Sequence, residues 1–431
     1  MACRASFRTR GGVATLVIVA ALVAVAAAPS HAEIMTLDDC VEVALTSSLT
    51  LAQAQENLAG AGAGVMSGWS GVLPRVSAGL GYTDGRTVTG GESMDSESYS
   101  GNVSLSQTLF DGSTFARLSG AHRSRNASEF ALDGARRSVI LSTKAAYYGL
   151  LKAMKLRDVQ AEALELAHEQ MRKAESLFEL GSASKSDFLK AQVEVKQAEL
   201  ALISAERVAA TARLSLLYTM GVSMGTDIEV ADPVDLGEDE ILDFDLEDAV
   251  DRRPDVRSVE EALVASKRSL LSAKAGRWPS LGLSASYSKG GESMDDVTGD
   301  FGDDYSTSTS LSLSIPIFNG LATKASIDNS KAALRSQEIS VRDTRLSAAY
   351  EIETTRLGVI EQRERVNVAT VGLETAEEEL RVSEERFRLR AASMLDVIYA
   401  RVAYSQARVS LVEAQYDYEI AKAELKDALG L

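Results

Sequence analysis

The sequence repeats itself once over almost its whole length, and this duplication limits the folds that are open to the chain. Residues of the same type recur 205 to 209 positions apart. The pairs that show this most clearly are Leu37 and Leu242, Pro74 and Pro279, Tyr82 and Tyr287, Phe110 and Phe318, Phe178 and Phe387, and Gly221 and Gly430. A unit of about two hundred residues is far longer than a solenoid repeat. The duplication therefore predicts two copies of one large unit.

Each copy contains a long stretch without proline, as very long helices require. No proline occurs from Arg75 to Asp232 or from Leu321 to Leu431. Within these stretches apolar residues recur at alternating spacings of three and four, and the clearest runs are Phe188, Ala191, Val195, Ala198, Leu202, Ala205, Ala209, Ala212 and Leu216, and Val397, Ala400, Tyr404, Ala407, Leu411, Ala414, Tyr418, Ala421 and Leu425. This period is typical of left-handed coiled coils. We therefore predict two helical hairpins, at 113–221 and 321–430.

The two limbs of the first hairpin are unequal in length. The outgoing limb, residues 113–180, spans roughly 100 Å as a helix, whereas the return limb, residues 186–220, spans about half of that. Another element must cover the remaining half, and residues 50–71 form a helical segment of suitable length. We expect this segment to stack end to end on the return limb.

Four segments alternate apolar residues with Ser or Gly, which is typical of strands with two unlike faces. They are predicted at about 73–83, 99–110, 280–288 and 306–318, and their length suits a tilted membrane-spanning strand. An unclosed sheet edge is not tolerated in lipid. We therefore expect a barrel built with further copies of the chain, as eight strands from two chains or twelve from three. The alternative is a soluble sheet on a coiled coil, which would make the protein an exported tether or scaffold without a pore.

An export signal precedes the first copy. Arg4, Arg8 and Arg10 are followed by an apolar run from Val13 to Ala28, and small residues precede a cleavage site after Ala32. The apolar run is too short for a spanning helix. The predicted organisation is a signal peptide at 1–32, a first repeat at 33–222, an acidic linker at 223–241 and a second repeat at 242–431.

The composition disfavours an enzyme and a general nucleic-acid-binding protein. The chain has 62 acidic and 45 basic residues, three His and two Cys, and its formal net charge is −17. Phosphate contact needs a basic surface, and zinc sites or Cys/His catalysis need side chains that are scarce here. No cofactor or metal site is expected. Cys40 is predicted to be a small buried residue of the first helix.

Several short motifs occur in the same order in both copies. In the first copy Leu73-Pro74 enters a strand that ends at Gly81-Tyr82, and Leu109-Phe110-Asp111-Gly112 joins the next strand to the long hairpin. The second copy has Pro316-Ile317-Phe318-Asn319-Gly320 at the same junction. In this order the motifs resemble those of the TolC-like outer membrane efflux proteins of Gram-negative bacteria.

The resemblance implies a fold, a location and a function. The implied fold is mainly α with a β-barrel part: a trimer whose twelve strands form one outer membrane β-barrel, continued across the periplasm by a long α-helical coiled-coil tunnel. Such a protein is the passive exit duct of a tripartite efflux pump or a type I secretion system. Its expected partners are two further copies of itself, outer membrane lipid, a periplasmic adaptor protein and an inner-membrane transporter. A tunnel lined by Ser, Gly and acidic residues selects weakly, so the sequence identifies no particular cargo.

The resemblance also implies functional residues at the two hairpin turns. Asp187 and Asp396 follow the turns, where the tunnel tapers to its periplasmic entrance, and Asp396 from three chains would form a negatively charged ring. The alternative interpretation of each Asp is a helix N-cap, a role that Ser184 or Ser186 could share. The implied adaptor-contacting tips are Leu180, Gly181, Ser182, Ala183, Leu389, Arg390, Ala391 and Ala392.

Arg390 departs from the glycine that the family often has at this turn. A turn that requires the left-handed conformation would be strained by Arg, so the second tip could differ in shape or in partner preference. The alternative is that Arg390 neutralises Glu384 and Glu385.

A hexapeptide in the first loop between strands recurs unchanged in the second. Gly90-Gly91-Glu92-Ser93-Met94-Asp95 reappears at 290–295. No EF-hand spacing accompanies it. We therefore predict solvated acidic loops outside the cell rather than calcium sites.

Overall fold

The computed structural model describes residues 34–181, 184–232, 243–299 and 304–431. The predicted signal peptide, 1–32, lies outside the described residues. The described helices are α1 (Leu37–Ser47), α2 (Leu49–Ser70), α3 (Gly112–Glu179), α4 (Lys185–Met220), α5 (Leu246–Arg252), α6 (Pro254–Ala275), α7 (Met294–Thr298), α8 (Ala322–Arg388) and α9 (Met394–Ala428). The described strands are β1 (Ile34–Met35), β2 (Arg75–Thr89), β3 (Glu92–Phe110), β4 (Glu229–Val230), β5 (Ser280–Gly291) and β6 (Tyr305–Ser314).

Two helical hairpins with unequal limbs dominate the molecule. α3 has 68 residues and α8 has 67, so each spans roughly 100 Å. The return helices α4 and α9 have 36 and 35 residues, about half of that length. At the turns Gly181 has φ +71° and Arg390 has φ +59°, so both turns contain a residue in the left-handed region.

The short helices complete the two return limbs. The C-terminal end of α4 meets the junction between α1 and α2, because a Cβ atom on Gly221 would overlap the carbonyl oxygen of Ser47. The end of α9 meets the junction between α5 and α6, where the Arg253 guanidinium donates to the carbonyl of Ala428 over 3.2 Å. α2 therefore continues the line of α4, as the length argument predicts, and α6 continues the line of α9.

The helices form a wall with two free edges. In the half of the wall near the hairpin turns, the neighbouring helices are, in order, α4, α3, α9 and α8. In the half near the sheet they are α2, α3, α6 and α8. α3 and α8 run through both parts. One edge of the wall is therefore formed by α2 and α4, and the other by α8.

A strap crosses the middle of the wall. β1 and β4 pair in parallel, and the Tyr147 hydroxyl on α3 donates to the carbonyl of Ala231 just after β4. Cys40 on α1 is fully buried in the same apolar cluster, as the sequence predicts. Burial raises the pKa of the Cys40 thiol to about 11. The predicted linker at 223–241 thus begins as an ordered segment up to Asp232, and residues 233–241 lie outside the described residues.

The four long strands form one antiparallel sheet in the order β2-β3-β5-β6. β2 continues to Thr89, beyond the predicted end at 83, and β3 begins at Glu92 rather than at 99. Apolar residues no longer alternate between residues 83 and 99, but the ladder of backbone hydrogen bonds between β2 and β3 continues to the hairpin turn. β6 ends at Ser314 rather than at 318, close to Pro316, which has no N–H for the ladder.

The repeated hexapeptide adopts two different structures. In the first copy Gly90 and Gly91 both have positive φ and form a two-residue hairpin turn, after which the chain enters β3. In the second copy Ser293 caps α7 and forms a capping box with Asp296. The first copy has Ser96 where the second has Asp296. The acidic residue needed for the box is therefore present only in the second copy.

Candidate functional site

One face of the sheet is apolar and has nothing packed over most of it. The strand register places its members side by side, and they are Val76, Leu80, Tyr82, Tyr99, Val103, Leu105, Leu281, Leu283, Tyr287, Leu311 and Leu313. Leu80 and Leu313 are 66% and 64% exposed. A soluble sandwich would bury such a face against a second sheet. The exposed apolar face therefore has the character of a surface that contacts lipid.

Aromatic residues border the apolar face at both ends. Tyr82 lies 4.9 Å from Tyr99 between ring centroids, and Tyr287 lies 5.3 Å from Tyr305. At the helical end Trp69 and Trp278 are 44% and 48% exposed. Aromatic belts of this kind mark the two boundaries of a bilayer. The tryptophans had not been predicted as part of the site, although their positions, five residues before Pro74 and one residue before Pro279, could have indicated it.

The opposite face of the sheet is made almost entirely of Ser, Gly and Thr. Hydroxyl pairs cross the strands, between Ser77 and Ser104 at 2.8 Å, between Ser284 and Ser310 at 2.8 Å, and between Ser286 and Ser308 at 2.9 Å. These small polar side chains suit a water-filled lumen. The predicted division into a lipid face and a water face thus agrees with the register.

The sheet and the helical wall both end in unpaired edges. β2 and β6 are the outer strands of the sheet, just as α2 with α4 and α8 are the outer helices of the wall. Exposed apolar residues follow both helical edges, and they include Leu189, Val193, Leu200 and Ile203 on α4, and Ile339, Leu346, Tyr350 and Leu357 on α8. Within the described residues, one chain therefore leaves both edges of the sheet and both edges of the wall uncovered.

The acidic residues at the far end of the hairpins take part in helix capping without being the caps. Ser184 caps α4 and Ser393 caps α9, and Asp187 and Asp396 are the third residues of these helices. The Asp396 carboxylate accepts from the Ser393 N–H at 2.7 Å and from its hydroxyl at 2.8 Å. These hydrogen bonds hold the pKa of Asp396 below its ordinary value. Asp396 is therefore ionised at neutral pH.

The hairpin tips are exposed. Leu180 and Leu389 are 77% and 70% exposed. Ser182 and Ala183 lie outside the described residues, and the second tip continues through Ala391 and Ala392. Among the described residues Arg390 forms no ion pair with Glu384 or Glu385, which pair instead with Arg401 and Arg388. Arg390 therefore adopts the left-handed conformation of Gly181 without those ion pairs.

Arg401 joins the helices of the two hairpins about two turns from the second tip. Its side chain is 8% exposed. It donates to the carbonyl of Leu166 on α3 over 2.8 Å and to the Glu384 carboxylate on α8 over 2.7 Å. Glu194 on α4 faces the same region, and burial raises its pKa although the Arg401 charge opposes the shift. Arg401 therefore connects α9 to α3 and α8 and interacts electrostatically with α4.

A small apolar cluster lies beside this connection. Ala174 on α3, Ala191 on α4 and Met394 on α9 are each at least 95% buried. The small side chains of Ala174 and Ala191 let α3 and α4 approach closely near the hairpin turns, and Met394 packs against them. The sequence had indicated Ala191 through its heptad position, but nothing local to Arg401 marked its partners, of which Leu166 lies 235 residues away.

None of the described helices combines the length and apolarity needed to cross a membrane. Within the same described residues, no group of three or more His, Cys, Asp or Glu side chains is placed to hold a metal ion.

A sheet with one lipid-type face that runs directly into a wall of very long paired helices defines the protomer of a membrane channel with a helical extension. The family model described as "Outer membrane efflux protein" matches residues 40–222 and 246–431, one match in each copy of the repeat. The chain therefore belongs to the outer membrane efflux protein family, lies in the outer membrane and extends into the periplasm.

Individual relatives agree with this assignment. The outer membrane efflux protein BepC of Brucella suis is 24% identical over 76% of this chain and 71% of the relative. Nodulation protein T of Rhizobium leguminosarum bv. viciae is 27% identical over 88% of this chain and 78% of the relative. The crystal structure of the CmeC outer membrane channel of Campylobacter jejuni matches 91% of this chain and 85% of that chain, with a TM-score of 0.84 and 20% sequence identity. The last similarity concerns the fold alone.

Proposed function

We propose that three copies of this chain close head to tail into one twelve-stranded barrel and one helical tunnel, which serves as the passive exit duct of a tripartite efflux pump or a type I secretion system. The observation that supports this proposal is that the sheet and the helical wall each end in two unpaired edges, and that the two edges differ from each other. Lipid cannot satisfy the free backbone groups of β2 and β6, so each edge needs another strand.

The two edges favour a ring over a face-to-face dimer. They differ in sequence and in the elements that form them, so a copy presents its β2 side to the β6 side of the next copy. Heterologous contacts of this kind close into rings when the rotation allows it. Eight strands would enclose an interior just wide enough for side chains, whereas twelve leave a lumen. A closed ring of three therefore fits a conduit.

The periplasmic end of the tunnel is proposed as its constriction and its docking site. Asp396 from three copies, with Asp187 nearby on the first hairpin, would concentrate negative charge in a narrow opening and favour cations. The two tips, at 180–183 and 389–392, would contact a periplasmic adaptor protein that links the duct to an inner-membrane transporter. The exposure of Leu180 and Leu389 supports such a contact.

Recording from planar bilayers that contain the purified full-length protein tests the function. A duct gives discrete currents that prefer cations, and an exported tether gives none. Asp396→Asn removes the charge but keeps an oxygen that can accept from Ser393, so it should reduce cation preference and weaken block by multivalent cations. Ser393→Ala removes the cap but keeps the charge, and it should leave both properties close to those of the original protein. Equal selectivity of the Asp396→Asn variant and the original protein would refute the charged entrance.

A further inference from the structure

A groove lies between the end of α6 and the start of α8, directly beside the helical end of the sheet. Its volume is about 340 Å³, and its lining includes Arg277, Pro316, Phe318, Asn319 and Lys324. No acidic residue lines it.

Two cations in the groove have no acidic partner. Arg277 and Lys324 are exposed, and within the described part of the chain neither side chain takes part in an ion pair. Two like charges that share one groove repel each other, and a bound anion would relieve that repulsion. The groove therefore has the electrostatic character of a site for an anionic group.

The groove also lies at the boundary of the apolar face. Leu311, Leu313 and Ile315 alternate along β6 and just beyond it, and Ile317 continues the same alternation. Ile317 is 96% exposed and Phe318 is 80% exposed. Trp278, the neighbour of Arg277, is half-exposed at the same end of the sheet. A ligand with a charged head and apolar chains would match this combination of surfaces.

The corresponding region of the first copy of the repeat carries different charges. At the positions that correspond to Arg277 and Lys324 the first copy has Val72 and Phe115. It also has Asp111 where the second copy has Asn319. The Asp111 carboxylate accepts from the Ser113 N–H at 2.9 Å at the start of α3. Asn319 is neutral, and its oxygen lies 3.4 Å from the Thr323 nitrogen at the start of α8. The first copy thus has a carboxylate at this junction, whereas the second copy has the neutral Asn319 together with Arg277 and Lys324.

We propose that the groove around Arg277 and Lys324 binds the phosphate group of a phospholipid in the periplasmic leaflet of the outer membrane. Ile317, which continues the alternation of the apolar face, contacts the acyl chains of that lipid, and the two cations contact its phosphate. Binding holds the sheet at a fixed depth in the membrane. The site rests on the proposed placement of the apolar face in lipid but not on conduction through the tunnel.

Native mass spectrometry of the detergent-purified protein, titrated with phosphatidylglycerol, tests the site. The double variant Arg277→Gln/Lys324→Gln should bind this lipid about 30-fold more weakly, as two cations near a lipid headgroup imply. The matched control Lys331→Gln/Arg335→Gln removes the same charge from α8 roughly 10 to 17 Å further from the sheet. It should bind like the original protein, and Arg277→Lys/Lys324→Arg should retain binding.

Three results would overturn the site. One is equal lipid binding by the double variant and the original protein. The second is competition by free glycerophosphate as strong as that by the lipid, which would mean a simple anion site. The third is dissociation of the oligomer in the double variant, which would mean that the groove contacts a neighbouring copy. Bilayer currents of the double variant keep the two proposals apart, because a functional duct persists even when the lipid site is lost.

Discussion

Replacing Arg401 with Met tests whether a single buried guanidinium holds the two hairpins of one chain together. Met retains much of the apolar stem that packs between the helices but makes none of the hydrogen bonds. Two contacts disappear, the one to the Leu166 carbonyl on α3 and the one to the Glu384 carboxylate on α8. The part of α9 near the hairpin turn should then separate more often from α3 and α8.

The expected loss follows from the exposure of each partner. A hydrogen bond from a charged donor to a buried carbonyl contributes about 1.5–3 kcal/mol. The Glu384 side chain is 48% exposed, so its ion pair contributes less than about 1 kcal/mol. Removing the buried charge recovers part of its desolvation cost. The net loss should be about 2 kcal/mol, which corresponds to about a 30-fold change in an opening equilibrium.

Hydrogen–deuterium exchange measures that opening directly. In Arg401→Met the amides of residues 396–405 should exchange about 30-fold faster, while those of residues 412–425 should not change. Arg408→Met is the matched control, because Arg408 lies on the same helix, forms an ion pair with the half-exposed Glu162 and otherwise lies over the ring of Tyr404 on its own helix. Its effect should stay below about 1 kcal/mol. If the two variants exchange at the same rate, Arg401 does not hold the hairpins together.

Three further substitutions probe the turn, the junction and the buried carboxyl. Arg390→Gly should slow exchange at the second turn about twofold, because the relieved left-handed strain of roughly 1–2 kcal/mol exceeds the entropic cost of Gly; faster exchange would contradict this. Gly112→Ala should lower the melting temperature of the assembled protein, since its Cβ would overlap the Trp278 ring, whereas Gly149→Ala, which meets open space within α3, should leave that temperature unchanged or raise it. Glu194→Gln should raise thermal stability at pH 7 but not at pH 4. Because the folded state raises the pKa of the Glu194 carboxyl, the stability linked to its protonation is present below the ordinary pKa and is lost as pH rises through the folded pKa. Equal gains at both pH values would contradict the raised pKa.

Much of the architecture was predictable because the sequence carries it as periodic patterns. The run from Phe188 to Leu216 predicts a coiled-coil limb, and the alternation around Leu80 and Tyr82 predicts a strand with two unlike faces. The segments 84–89 and 92–98 were missed as strands, because they contain Asp, Glu, Ser and Thr and have no apolar alternation. Their pairing comes from the hairpin turn at Gly90 and Gly91.

The end of the hairpins near the turns was predictable only in part. Ser184 and Ser393 each stand three residues before an Asp, which is a readable capping signal, and the structure assigns the cap to Ser rather than to Asp. The Arg401 contacts could not be predicted, because Leu166 and Glu384 become its neighbours only after both hairpins pack. The two-residue strand β4 is too short for any periodic signal.

Disulfide cross-linking between the edge strands tests the central claim. That claim is that copies of the chain form a closed ring, with the β2 edge of each copy against the β6 edge of the next. In a Cys40→Ala background, Ala78→Cys on β2 is combined in turn with Thr307→Cys, Thr309→Cys or Leu311→Cys on β6. At least one pair should give covalent dimers and closed covalent trimers in membranes, while each single-cysteine variant stays monomeric on a denaturing gel. Covalent dimers from Ala78→Cys alone would place two β2 edges together and would contradict the ring.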